Sequence, residues 1–105
     1  MSGQTMSSLY AMQRANGDWF ALDDHGRFRV PLFGSQWDGM LARMSHVGMR
    51  LFRPVELDGR ALEELVPGGG VGDTDFWLVD DPFTSLKRGR LIDRAQLSLL
   101  VRAAA

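Results

Sequence analysis

Two short acidic segments contain the residue types that could ligate a metal ion. Segment 23–25 reads Asp-Asp-His, and segment 80–81 is a second pair of aspartates. Carboxylate oxygens and an imidazole nitrogen bind divalent metals when several of them converge. The alternative is that both segments are turns, because aspartate accepts backbone hydrogen bonds there. A metal site at Asp24, His25 and Asp81 therefore requires the two turns to meet in space.

The sequence contains no set of residues that could carry out nucleophilic catalysis. The chain has no cysteine and only two histidines. Ser35 and His46 lie eleven positions apart at opposite ends of a predicted helix, which separates them by roughly 16 Å. A nucleophile and its base must lie within hydrogen-bonding distance. The sequence therefore predicts a protein that is not an enzyme and that uses no cofactor.

A glycine-rich segment, 67–72, superficially resembles a phosphate-binding loop. Such a loop needs Gly-Lys-Ser/Thr at the start of a helix, directly after a strand. Here Asp73 and Asp75 follow instead, and their charges would repel phosphate. We interpret the segment as a flexible connector, with a mobile flap beside a binding groove as the alternative.

The one basic cluster is formed by Lys87, Arg88 and Arg90. It contains no aromatic residue on which a base could stack, so it is a poor nucleic-acid surface. One interpretation is a solvated loop near Asp80, Asp81 or Asp93. The other is a docking site for an anion or a protein partner.

Two aromatic pairs are the strongest candidates for an interaction surface. Neighbouring residues on a strand point to opposite faces of its sheet, so Trp19–Phe20 and Phe76–Trp77 each send one ring to each face. If helices cover only one face, the other keeps an exposed aromatic patch of the kind that mediates dimers and complexes. If the sheet curls or a helix covers the second face, the rings are core residues.

The elements that position these residues follow from hydrophobic periodicity and turn signals. Asn16-Gly17 and Asp23 to Gly26 predict the turns of a three-stranded meander. Ser35, Asp58 and Asp93 predict helix N-caps. Predicted strands span 9–14, 19–22, 27–32, 49–57 and 75–80; predicted helices follow Ser35 and span 59–66 and 94–103; residues 83–90 are predicted to form an irregular loop.

Two segments have distinctive patterns. After Ser35, the residues Trp37, Met40, Leu41 and Met44 recur at helical spacing, which predicts an apolar stripe that faces the core. Segment 75–80 is a continuous apolar run between aspartates, as expected of a buried central strand.

Length and charge narrow the class of protein. A chain of 105 residues is the size of one domain, and a net charge of −1 excludes a strong field for nucleic acid. Residues 1–8 are small and polar and are expected to be disordered. They have no signal-peptide pattern, and no apolar run is long enough to cross a bilayer, so we expect a cytoplasmic location.

Four motifs combine aromatic residues with turn formers: Trp19-Phe20-Ala21-Leu22 before an Asp-x-x-Gly turn, Val30-Pro31-Leu32-Phe33-x-Ser35, Phe52-x-Pro54-Val55 and Phe76-Trp77-Leu78-Val79. In these motifs the chain resembles a group of small bacterial single-domain proteins of unknown function. The resemblance covers residues 9–102 and brings no catalytic residue. Similar aromatic-rich domains occur among bacterial immunity and secretion-accessory proteins.

The sequence therefore predicts one α+β domain over residues 9–105, with an antiparallel sheet of about five strands and two to three helices mainly on one face. The predicted function is a protein-interaction module of the adaptor, regulatory or toxin-immunity type that binds a protein partner or its own copy, but no nucleic acid and no membrane. The alternative is a small-ligand or metal-binding domain that uses turns 23–25 and 80–81 and segment 87–90. The interaction candidates are Trp19, Phe20, Phe76, Trp77, Lys87, Arg88 and Arg90.

Overall fold

A computed structural model describes residues 8–65 and 74–104 and confirms the α+β class. Six strands, three α-helices and a 3₁₀ turn at Val47–Met49 make up this part of the chain. The strands are β1 Tyr10–Arg14, β2 Leu22–Asp24, β3 Arg27–Leu32, β4 Phe52–Glu56, β5 Thr74–Asp81 and β6 Ser85–Ile92. The helices are α1 Gln36–Ser45, α2 Gly59–Leu65 and α3 Arg94–Ala104.

The described strands form two sheets. A two-stranded sheet pairs β1 with β4, and a four-stranded sheet has the order β2-β3-β5-β6. All pairs are antiparallel except β3 and β5, which run parallel. A parallel pair needs a long crossover, and the segment between Leu32 and Thr74 supplies it. The arrangement differs in this respect from a single antiparallel sheet.

The predicted three-stranded meander is only partly present. The turn at Asn16-Gly17 forms, with the Gly17 N–H donating to the Arg14 carbonyl over 2.9 Å. Arg14 also donates to the Asp18 carboxylate, and this bond, followed by one from Asn16, lowers the pKa of Asp18. The returning chain then makes only a single bridge to β1, at Trp19. Strand β1 pairs with β4 instead of continuing the meander.

The predicted loop at 83–90 is wrong, because β6 occupies most of it. Asp81 organises the turn that precedes β6. Its carboxylate accepts hydrogen bonds from the Thr84 hydroxyl over 2.7 Å and from the Phe83 N–H over 3.2 Å. These bonds reverse the chain so that β6 pairs with β5. Polar residues and a glycine are poor strand formers, and here tertiary pairing overrides that preference.

Two hydrophobic clusters pack on opposite faces of β5. Phe76 belongs to the cluster under α2 and α3, and Trp77 belongs to the cluster that includes Ala42 of α1. The first cluster consists of Leu9, Ala11, Val30, Leu32, Leu57, Ala61, Phe76, Ile92, Leu97 and Val101. The second consists of Met12, Phe33, Ala42, Met49, Trp77, Val79 and Leu86.

The three predicted N-caps are confirmed. The Ser35 hydroxyl accepts from the Asp38 N–H, and the Asp58 and Asp93 carboxylates accept from N–H groups three residues later. Ser8 donates to the Glu56 carboxylate over 2.9 Å. The rest of the segment predicted to be disordered, residues 1–7, and the predicted flap at 67–72 lie outside the described residues.

Gly39 sets the distance between α1 and β4. A Cβ atom at this position would lie 2.7 Å from Pro54 Cβ and 3.4 Å from Met12 Sδ. We expect Gly39→Ala to lower the free energy of unfolding, because overpacking a tight contact costs about 1–3 kcal/mol. The gain in helix propensity is about 1 kcal/mol at most.

Urea denaturation followed by circular dichroism would measure this change. Gly59→Ala is the matched control, because nothing lies within 4 Å of a Cβ atom at that position in α2. We expect that variant to be as stable as the wild type or slightly more stable. A Gly39→Ala protein at least as stable as the wild type would contradict the tight contact.

Candidate interaction surfaces

The outer face of α1 is apolar. Trp37 is 65% exposed and Met44 is 72% exposed, while Met40 and Leu41 beside them are half-buried. Four residues at spacing 0, 3, 4 and 7 share one face of a helix. The prediction that this stripe faces the core is therefore wrong: it faces away from the protein.

The opposite face of α1 explains this orientation. Its buried residues are Gly39 and Ala42, which also share a face. Their small size lets the helix backbone approach Pro54 of β4, where a larger side chain would not fit. Two contacts at the ends of α1 hold it in place: the Ser35 cap and a hydrogen bond of 3.0 Å between His46 Nε2 and the Pro82 carbonyl oxygen. Ser35 and His46 thus have structural roles.

Two further exposed apolar residues follow α1 in the chain. Val47 and Leu51 are both more than 70% exposed. We call the set Trp37, Met40, Leu41, Met44, Val47 and Leu51 the α1 patch. Single exposed apolar residues are common on protein surfaces, but clusters of them are not. Such clusters usually mark binding sites.

Two arginines border the α1 patch. Arg43 donates through Nε to the Arg50 carbonyl oxygen over 3.2 Å. Both side chains are exposed, and together with Met44 they line a cavity of about 320 Å³. The edge of the patch near Met44 is therefore positively charged.

The predicted aromatic patch does not form. Phe76 is 1% exposed and Trp77 is 4% exposed, because both faces of β5 are covered at these positions. Phe20 is half-buried and meets Phe52 edge to face at 5.2 Å. Trp19 is also half-buried and lines a cavity of about 190 Å³ elsewhere. The four residues are core or half-buried side chains and share no exposed surface.

The three predicted basic residues lie together on β6, an edge strand of the four-stranded sheet. Lys87, Arg88 and Arg90 are all exposed. Lys87 also lines a cavity of about 170 Å³ beside the strand, with Arg29, Trp77, Gly89 and Leu91. Within it, the guanidinium carbon of Arg29 lies 5.2 Å from the centre of the Trp77 ring, a cation–π contact.

The two acidic turns do not meet, which corrects the metal-site hypothesis. Turn 23–25 precedes β3, and segment 80–81 ends β5. Because β3 and β5 are parallel, the turns lie at opposite ends of the sheet, roughly 20 Å apart. Asp24 and His25 therefore cannot share an ion with Asp81. Among residues 8–65 and 74–104, no three potential metal ligands form a cluster.

Each acidic turn has a structural use. The Asp23 carboxylate accepts from the Gly26 N–H, and His25 adopts a left-handed conformation with φ of 54°. The hydrogen bond from Thr84 is the main cause that lowers the pKa of Asp81, and the charge of Arg88 contributes. These interactions match the turn interpretation of both segments.

No helix of the described residues is both long and apolar enough to cross a membrane.

Comparison with known proteins identifies no relative of this chain. The resemblance to small bacterial single-domain proteins stays a prediction; its residues here serve the core, as Phe33 and Phe76 do, or cap a helix, as Ser35 does. No protein-family model, curated protein or solved structure matches this chain.

Proposed function

We propose that this chain is a non-enzymatic protein-interaction module and that it binds its partner through the α1 patch. One observation carries the proposal: the amphipathic stripe of α1 faces away from the protein's own core. Burial of a large apolar side chain contributes about 1.5–3 kcal/mol of favourable free energy. Trp37 and Met44 are exposed in the isolated chain and lack most of this contribution. Tryptophan is also among the residues that contribute most to protein interfaces.

The geometry of α1 supports this role. Trp37, Leu41 and Met44 are spaced as anchors for recognition of one helix face by an apolar groove. The helix is capped by Ser35 and packed closely against Pro54, so binding need not order it. A rigid helix loses little conformational entropy when it binds, which favours affinity.

Charge favours a different protein as partner over a second copy. Arg43 and Arg50 border the patch, so an apolar groove with an acidic rim complements it. If α1 packed antiparallel against α1 of a second copy about a two-fold axis, the two Arg43 side chains would lie along the same edge of the helix pair. Like charges at that position would oppose a homodimer.

Trp37→Ser tests the proposal. We expect the variant to fold with a stability within about 0.5 kcal/mol of the wild type, because exposed positions tolerate substitution. We expect it to lose a stoichiometric partner that the tagged wild type captures from a lysate of the source organism. Loss of an anchoring tryptophan weakens binding by about 2 kcal/mol or more, roughly thirtyfold. Light scattering on the eluted species gives its stoichiometry.

Phe28→Ser is the matched control, because Phe28 is also an exposed aromatic residue, at 52%, but lies on β3. The control should capture the same partner as the wild type. Capture that survives Trp37→Ser, or a wild-type protein that elutes alone as a monomer, would refute the proposal.

A further inference from the structure

We propose that β6 binds an acidic, extended segment of a partner protein, which adds to the four-stranded sheet as a further strand. This surface is separate from the α1 patch: α1 packs against β4 and β1, whereas β6 pairs with β5. The inference therefore goes beyond the proposed function and can fail or hold independently of it.

The backbone of β6 is available on one side. Among the described residues, its eight residues pair with β5 alone, and β6 ends the sheet. In such an edge strand, alternate N–H and C=O groups point away from the sheet and can pair with an added strand. Five consecutive residues, 87–91, are exposed, and among them the Lys87 N–H already donates to the Ser85 hydroxyl over 3.1 Å. Strand addition uses edges of this kind to bind extended peptides.

The charge of β6 selects an acidic peptide. The strand carries Lys87, Arg88 and Arg90 and no acidic residue, although the whole chain has a net charge of −1. None of the three forms an ion pair with a described residue. The charge of Arg88 acts on Asp81, but the Asp81 carboxylate already accepts hydrogen bonds from Thr84 and Phe83, and Asp93 caps α3.

The same charges oppose pairing of β6 with its own copy. In an antiparallel self-pairing centred on Gly89, Arg88 of each copy would face Arg90 of the other, and like charges directly opposite are destabilising. The register also shifts between Val79 and Asp81, so that residues 86–88 oppose Asp80 alone. Such bulges and edge charges limit association between identical sheets. A different, acidic chain is the occupant that fits.

The cavity beside β6 provides a pocket for one side chain of the added strand. It is lined by Trp77 of β5 and by Lys87, Gly89 and Leu91 of β6, and Gly89 lies directly against the Trp77 ring. The exposed ammonium group of Lys87 makes the cavity suitable for a carboxylate. Pockets that accept alternate side chains give strand addition its specificity. We therefore expect a glutamate of the partner to enter here.

Fluorescence anisotropy with a synthetic peptide tests the proposal. The probe is a labelled eight-residue peptide in which glutamate alternates with threonine, and the protein is the full chain at low ionic strength. We expect saturable binding, and slower hydrogen exchange for those amides of residues 88–91 that point away from β5 when the peptide is bound. Two control peptides accompany it: one with lysine in place of glutamate, and one with N-methyl groups on alternate backbone nitrogens. Neither should bind.

Charge reversal completes the test. R88E/R90E should bind the acidic peptide at least about tenfold more weakly, because two attractions become repulsions. R60E reverses an exposed arginine on α2 and should bind within about twofold of the wild type. Trp37→Ser should also leave peptide affinity unchanged, which separates this site from the α1 patch.

Three results would overturn the proposal. Absence of saturable binding to the acidic peptide is the first. Binding of the N-methylated peptide as tight as that of its parent is the second, because it would show attraction without strand pairing. The third is a single-stranded oligonucleotide that binds more tightly than the peptide and is lost in R88E/R90E, which would assign the basic edge to nucleic acid.

Discussion

Trp77→Ala is expected to lower the free energy of unfolding by about 3–5 kcal/mol, the range for truncation of a large buried aromatic residue. Trp77 is 4% exposed and joins the second hydrophobic cluster, and the guanidinium of Arg29 stacks on its ring. Domains of this size are stable by about 5–15 kcal/mol, so the variant loses a large share of its stability. Urea denaturation followed by circular dichroism measures the change.

Trp37→Ala is the natural comparison, because it removes the same side chain from a position that is 65% exposed. Its stability should stay within about 0.5 kcal/mol of the wild type. We therefore expect truncation of Trp77 to lower stability, and truncation of Trp37 to weaken partner binding without lowering stability. Equal losses of stability in the two variants would mean that α1 buries its apolar stripe after all.

Gly89→Ala is expected to be nearly as disruptive, with a loss of about 3 kcal/mol, at the upper end for overpacking. A Cβ atom on Gly89 would overlap the carbonyl oxygen of Leu78 and Cδ1 of Trp77. One of these atoms belongs to the backbone of β5, so a rotamer change alone cannot relieve the overlap. The β5–β6 pairing must open instead. Thermal and urea denaturation would both show the loss.

Gly34→Ala is the control for this variant. Nothing lies within 4 Å of a Cβ atom at Gly34, so we expect its stability to be close to that of the wild type. Gly89→Ala should also weaken binding of the acidic peptide, because it displaces the edge strand. A Gly89→Ala protein with wild-type stability would mean that β6 sits farther from β5 than the structure shows.

Features that depend on neighbouring residues could be predicted from the sequence. Asp58 and Asp93 each bond an N–H group three residues later, and such bonds depend on the local chain alone. The buried central strand was also predictable, because Phe76 to Val79 is apolar on both faces. It lies between β3 and β6, as a central strand should.

Features that depend on distant partners could not be predicted in the same way. The stripe on α1 was recognisable from its spacing, but its direction depends on Gly39 and on the Pro54 side chain that lies against it. Hydrophobic periodicity shows which residues share a face of a helix. It does not show that a glycine on the opposite face allows closer packing than a larger residue would. The basic residues of β6 were identified as a candidate site. That they lie on an edge strand could not be predicted, because it depends on the close contact of Gly89 with the Leu78 backbone.

The parallel pairing of β3 with β5 has a consequence for how the chain folds. Phe28 pairs with Thr74, so β3 acquires this neighbour only after most of the chain has been synthesised. Contacts between residues far apart in sequence form slowly, because a long loop must close first. Until then Val30 and Leu32 lack their central neighbour, although β1 and β4 can already pair. A ribosome that pauses before residue 74 would therefore hold a nascent chain with an open, apolar sheet edge.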